Sequence, residues 1–247
     1  MTATALNSFS IVPRAELGPT QTDEMFELLA QHFDGVTREH FTRDLAEKNW
    51  VVLLRRDERL VGFTTLLVYE SRFDDVPVSV VYSGDTIVAP EAWGTTGLAR
   101  GWITAVNQLR GRYPRGRYYW LLLTSGFRTY RFLPVFWREF HPRCDAPMPA
   151  HVRRLRDQLA RERFGAQFDP RTGIVRFLHP QRLRGGLNAI PAGRVSDPQV
   201  AFFLARNPGH ALGDELVCLT ELCDGNLTAA GRRMVAPQTH ESLGRDC

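Results

Sequence analysis

The chain has 247 residues, 43% hydrophobic and 11% aromatic, which is enough apolar side chain for one large core or a core with an added lobe, and too much for a disordered chain. No apolar run approaches the ~20 residues that cross a bilayer, and the start MTATALNSFSIVPRAELG lacks a charged opening followed by an apolar block, so a cytoplasmic protein with no membrane partner is expected. The net charge of +4 conceals a segregation: Arg100 to Arg163 holds 14 arginines and no lysine against four acids, and the whole chain has a single lysine, Lys48. Genomic base composition can explain arginine over lysine but not the clustering. Such a field favours an anionic partner: a nucleotide-bearing cofactor, an acidic carrier protein or RNA. Cys144, Cys218, Cys223 and Cys247 form no CxxC pair, and the seven histidines form no HExxH or HxH, so free thiols and no metal site are expected.

In chain order, Ser8 to Leu17 reads as a short strand broken at Pro13. A helix capped by Thr22-Asp23 runs to Phe33, and a second runs from Thr37 to Lys48 with a capping threonine. Trp50–Leu54 and Leu60–Tyr69 are β-rich runs across a polar turn, hence a hairpin, and Val78–Val88 adds a third antiparallel strand. Tyr118–Leu123 is apolar throughout, as a strand buried on both faces would be, and the helix before it makes it a parallel neighbour of Val78–Val88. Ser125–His141 repeats aromatics at helical spacing with a kink or split due at Pro134. Met148–Phe164 reads as a charged helix, Thr172–Leu178 as a strand, Gln181–Asp197 as a loop, Pro198–Arg206 as a helix and Glu215–Leu222 as the last strand. The tail from Pro237 reads as unordered. Residues 1–165 form the expected core, and 166–247 an extension that completes the sheet.

The stretch Val80–Val106 organises the rest. A strand stops at Pro90, and Gly94-Thr95-Thr96-Gly97 leads into a helix whose apolar face is Leu98, Ala99, Trp102, Ile103, Val106 and Leu109. Small residues at such a turn let backbone N–H groups approach a ligand, and a helix N-terminus favours an anion, so the turn suits a phosphate. The plain alternative is a turn that only joins two elements. A P-loop is excluded because no Gly-Lys-Ser/Thr opens the helix, and a dinucleotide fold because GxGxxG is absent.

This order of elements resembles the GNAT superfamily of acyl-CoA N-acyltransferases. The local likeness lies in Val88-Ala89-Pro90-Glu91 followed by Gly94-Thr95-Thr96-Gly97-Leu98-Ala99, with Gly94 in the slot usually held by arginine or glutamine. The resemblance implies an α/β fold with a largely antiparallel sheet, a parallel central pair splayed around the cofactor, and helices on both faces. It implies acetyl-CoA or another acyl-CoA as co-substrate, with its diphosphate on Gly94, Thr95, Thr96, Gly97, Leu98 and Ala99. The thioester would lie against Ile87, Val88 and Ala89, and an amine, expected to be a small molecule, would be the acceptor. A carrier protein or aminoacyl-tRNA is the alternative donor, and a non-catalytic CoA-binding protein the rival class.

Asp85 is the candidate base, because a carboxylate within an apolar strand takes a raised pKa. Read structurally, it is a capping or ion-paired acid at a bulge, for which Gly84 supplies the site. Glu70 is its reserve. The family's acid is a tyrosine in the last helix; phenylalanine falls in that slot here, and Tyr130 is the nearest substitute, with a core aromatic as the other reading. Trp93 is expected to pack under the turn.

Overall fold

Two tight hairpins shape the sheet, and neither uses glycine. Asp57-Glu58 and Asp74-Asp75 all take positive φ, between 48° and 65°, the twist that matches flanking strands across a two-residue loop. They join β3 (Trp50–Arg56) to β4 (Arg59–Phe73) and β4 to β5 (Val76–Val88). The computed structural model describes residues 7–113, 115–187 and 189–235. Ahead of the hairpins come β1 (Asn7–Pro13), α1 (Pro19–His32), β2 (Phe33–Asp34) and α2 (Arg38–Ala46). After them come α3 (Gly97–Arg110) and β6 (Arg117–Thr124). The remainder is α4 (Phe127–Tyr130), α5 (Phe132–Phe136), β7 (Phe140–His141), α6 (Ala150–Phe164), β8 (Phe168–Asp169), β9 (Ile174–Val175), β10 (Arg182–Leu183), α7 (Pro198–Arg206), β11 (Glu215–Glu221) and α8 (Ala229–Met234).

The main sheet runs β1-β3-β4-β5-β6-β11-β9-β8, with β7 also paired to β11, while β10 and β2 form a separate pair. Only β5 and β6 are parallel, joined by α3 as the expected crossover; every other pair is antiparallel. The mixed α/β fold is therefore as the sequence implied. The late strand β11 lies against β6, so the second half of the chain closes the sheet instead of standing apart from it.

Alternation along β5 feeds two cores. Val78, Val80 and Tyr82 pack with Leu155, Leu159 and Phe164 of α6 on one face, whereas Val81 faces the larger core shared with α1 and α3. β6 is buried on both faces, as its uninterrupted apolar run requires. The predicted apolar face of α3 is buried at every position named, and the helix sits tightly on the sheet. A Cβ on Gly97 would come within 2.7 Å of Leu54, and one on Gly101 within 3.0 Å of Val52.

Several boundaries differ. α1 opens at Pro19, where proline needs no N–H partner, and the Gly18 amide donates to Gln21 Oε1 at 2.9 Å. Thr37 caps α2 as expected, accepting from the His40 amide. The aromatic helix breaks at Arg131, not at Pro134, because a proline in the first turn of α5 removes no helical hydrogen bond; beyond Phe136 the chain is extended and pairs with β11. The strand expected at Thr172–Leu178 is reduced to Ile174-Val175. Cys144 and Cys218 are free, but Cys223 is disulfide-bonded, contrary to the free-thiol expectation. The tail from Pro237 and Cys247 lie outside the described residues.

Candidate active site

β5 and β6 stay paired from Val78↔Arg117 to Ser83↔Leu122, and beyond that rung both strands continue without bonding each other. The last rung is pinned: Ser83 Oγ accepts from the indole N–H of Trp102 at 3.1 Å and of Trp120 at 2.9 Å. Immediately after it the ladder with β4 slips. Thr64 faces Thr86 and Leu66 faces Ser83, so Gly84 and Asp85 together oppose the single Thr65. This is the bulge expected at Gly84, and glycine is required there because a Cβ would meet Lys48 Cε at 2.5 Å and Thr65 Oγ1 at 2.6 Å.

The gap opens into a cavity of about 820 Å³. Asp85, Ile87, Val88, Gly94, Thr95, Leu98 and Ala99 all line it, whereas Ala89, Thr96 and Gly97 lie behind its wall. The turn divides on closer inspection. The Trp93 amide donates to Pro90 O at 3.1 Å, and Thr95 turns both its amide and its hydroxyl back to Ala92 O. Thr95 therefore offers no free donor. No side chain caps α3, and the amides of Gly97, Leu98 and Ala99 open it without a partner. Gly94 is glycine for its left-handed backbone, φ +83°, with open space where a Cβ would lie; Gly97 is glycine to admit Leu54, not a ligand.

Strand parity sorts the three thioester candidates. The Ala89 amide donates to Val61 O at 2.8 Å, and Ile87, two residues back and opposite Phe63, faces β4 as well. Val88 points the other way: its carbonyl accepts from the Trp93 indole at 2.8 Å on the gap side, so its N–H also faces the gap. Of the three, only Val88 presents an amide to the cavity. Trp93 does not pack under the turn; it is 37% exposed and carries the Arg128 guanidinium 4.1 Å above its ring. Arg128 Nη1 also donates to Leu187 O at 2.6 Å, which ties the loop from Gln181 to the cavity mouth.

Asp85 is the carboxylate the gap exposes. Its Oδ2 is buried without a hydrogen-bond partner. Burial pushes its pKa up to about 7, with the Asp44 charge adding to the rise; Lys48 and a hydrogen bond from Gln181 oppose it. Lys48, the chain's one lysine, has a fully buried side chain that crosses Gly84 and pairs with Asp44 Oδ2 at 2.6 Å. Glu215, the first residue of β11, lines the same cavity, and burial together with the charges of Asp85 and Asp44 raises it to about 8.

Two other expectations land elsewhere. Tyr130 is wholly buried beside Phe140 and Phe203, its hydroxyl donates to Pro142 O at 3.0 Å, and it is not part of the cavity wall. The tyrosine brought to the cavity is Tyr82 of β5, whose hydroxyl burial holds well above its ordinary pKa. Glu70 is exposed, paired with Arg115 at 3.1 Å, and also outside the wall. Sequence reasoning missed Lys48, Tyr82, Gln181 and Glu215; only the solitary lysine carried a local signal.

No family model matches the chain, and no curated protein matches it. Solved structures to which it is similar include a probable N-acyltransferase from Enterococcus faecalis, at 16% identity over 55% of this chain and 33% of that one, with a TM-score of 0.41. A GNAT family N-acetyltransferase from Escherichia coli in complex with CoA is 15% identical over 53% of this chain and 70% of that one, TM-score 0.39. An aminoglycoside acetyltransferase from an uncultured soil metagenomic sample is 20% identical over 46% and 76%, TM-score 0.34. This chain spans about a third of the length of the first. What decides the architecture is its own sheet: an antiparallel run ending in a parallel pair that parts at a bulge. The fold is mixed α/β, with the mostly antiparallel sheet and single parallel pair that the sequence resemblance implied. In this frame the gap, the uncapped helix and an unpartnered carboxylate share one cavity.

Among the described residues no group of His, Cys, Asp and Glu is arranged to hold a metal, and no helix is long and apolar enough to cross a membrane.

Proposed function

We propose that the protein transfers an acyl group from an acyl-CoA thioester to an amine. The observation that carries this reading is the single cavity lined by the free start of α3 at Leu98 and Ala99, the gap face of Val88, and Asp85. A diphosphate would accept from the Leu98 and Ala99 amides, helped by the positive end of the helix. Arg128 stands over Trp93 beside the turn, a guanidinium where Gly94 supplies no side chain. The pantetheine arm would lie in the gap, with its thioester carbonyl facing the Val88 N–H.

Asp85 would take a proton from the acceptor's ammonium. The neutral amine then attacks the carbonyl carbon, the C–S bond breaks as the C–N bond is made, and one of the nitrogen's two protons ends on the departing sulfur while the other stays on the amide. Holding the two reactants together in the gap supplies much of the rate. Tyr130 has no part in this scheme.

The basic segment gives little support to a carrier protein or tRNA donor. Arg115, Arg117, Arg131, Arg143, Arg154 and Arg163 are each paired with an acid, most of them from outside the segment. Titration calorimetry with acetyl-CoA, followed by thiol release in the presence of amines, tests the reading. Binding with release supports it. Binding without release under any amine leaves a CoA-binding protein, and no binding removes the reading.

A further inference from the structure

We propose that the acceptor is a dication: Asp85 receives the reacting amine, and Glu215 holds a second ammonium of the same molecule. The inference rests on the acyl-transfer reading and adds the substrate class.

Five acidic or histidine side chains face this part of the cavity besides Asp85 and Glu215, or pair beside it, and each is already engaged or remote in charge. Asp44 is paired with buried Lys48. Glu47 is paired with Arg163. Glu39 lies on Arg43, a cavity-lining arginine whose side chain is largely exposed. His40 and His179 stack on each other with ring centres 5.0 Å apart. Asp85 and Glu215 differ from all of these. Asp85 has the Gln181 hydrogen bond, the charge of Lys48 shared with Asp44, and a buried Oδ2 with no hydrogen-bond partner, and the Glu215 side chain is in no hydrogen bond or ion pair among the described residues. A second carboxylate is not needed to remove one proton. Asp85 shares the charge of Lys48 with Asp44, and Glu215 has no cation of its own; two such carboxylates on one cavity wall are expensive, and a ligand bearing two ammonium groups relieves both.

The sheet also sets the span. Asp85 lies two residues past the rung Ser83↔Leu122, and Glu215 one residue before Leu216↔Thr124, so the pair straddles the end of β6. Two strand spacings would put their backbones ~10 Å apart in a closed sheet, and the parting of β5 from β6 beyond Ser83 widens that. Carboxylates on strands either side of the gap suit amines at opposite ends of a flexible chain.

The test compares α,ω-diaminoalkanes of increasing length with 1-aminoalkanes of equal length, using acetyl-CoA as donor and thiol release as readout. The expected result is a KM at least about tenfold lower for the best diamine than for its monoamine, a gap that closes in Glu215→Gln. Glu215→Asp, which keeps the charge, retains the discrimination. Equal KM values for diamine and monoamine, or a Glu215→Gln protein that still prefers the diamine, overturn the proposal. Calorimetry of the diamine alone separates the two readings. If no acyl transfer occurs yet the diamine binds and Glu215→Gln weakens that binding about tenfold, the dication site stands and the transferase reading falls. If transfer occurs without any diamine preference, the reverse holds.

Discussion

Asp85 owes its place to one surplus residue in β5, and its chemistry to what surrounds it. With a pKa near 7 it is half-charged at neutral pH, so kcat/KM should rise with unit slope up to about pH 7 and level off above. Asp85→Asn should flatten that limb and lower kcat by about 10²-fold or more, read by thiol release. The same shift works against the fold. Between its ordinary 3.8 and about 7, the native carboxyl keeps a proton that the unfolded chain has lost, so stability falls as pH rises through that window. Asp85→Asn should therefore melt at least about 2 °C above the parent at pH 8 and match it near pH 4, as scanning calorimetry would show. Tyr130→Phe should leave kcat within about twofold and lower stability by about 1 kcal/mol, since it removes only the hydroxyl's hydrogen bonds to Pro142 O at 3.0 Å and Gln199 Oε1 at 3.3 Å. A kcat loss of tenfold would return Tyr130 to the chemistry. Asp85 was legible in the sequence because a lone acid in an apolar strand is locally anomalous. Glu215 was not, because its role comes from the register of a strand 130 positions later, and no local pattern encodes that.

At the level of elements, the turn before α3 contains two glycines with different duties. Gly94→Ala meets no atom but must hold φ +83°, a strain of about 1 kcal/mol. Gly97→Ala brings a methyl to 2.7 Å from Leu54 Cδ1, so either that buried side chain or the start of α3, whose amides would face the donor, must shift. Gly97→Ala should raise the Kd for CoA by about tenfold, and Gly94→Ala by less than about threefold, by calorimetry. Equal effects would mean that the helix start does not position the donor. The elements most legible in advance were those with unbroken periodicity: the hairpins, α3 and β6 matched their patterns because local propensity and burial agree there. The stretch after Ser125 was expected to be helical through His141, kinked or split at Pro134, since aromatic spacing alone cannot report that β11 captures Phe140 and His141 as a strand.

Across the whole molecule, a charge map drawn along the chain misleads about the surface. Arginines clustered in sequence meet acids that are distant in sequence, such as Asp74, Glu221 and Glu47, so binding to bulk tRNA should be weak and lost by about 0.2 M salt in a gel-shift assay. A chain cut at residue 165 loses β11 and exposes the flank of β6; it should show no cooperative melting by circular dichroism, whereas a sharp transition would establish a free-standing lobe. The position of β11 also bears on how the protein is made. A ribosome that has released β6 must add about 90 more residues before its antiparallel partner exists, roughly 5–20 s of translation. Through that interval the β11-facing flank of an apolar strand stands open while β5 holds the other, so expression at lower temperature or with chaperones that shield nascent chains should raise yield.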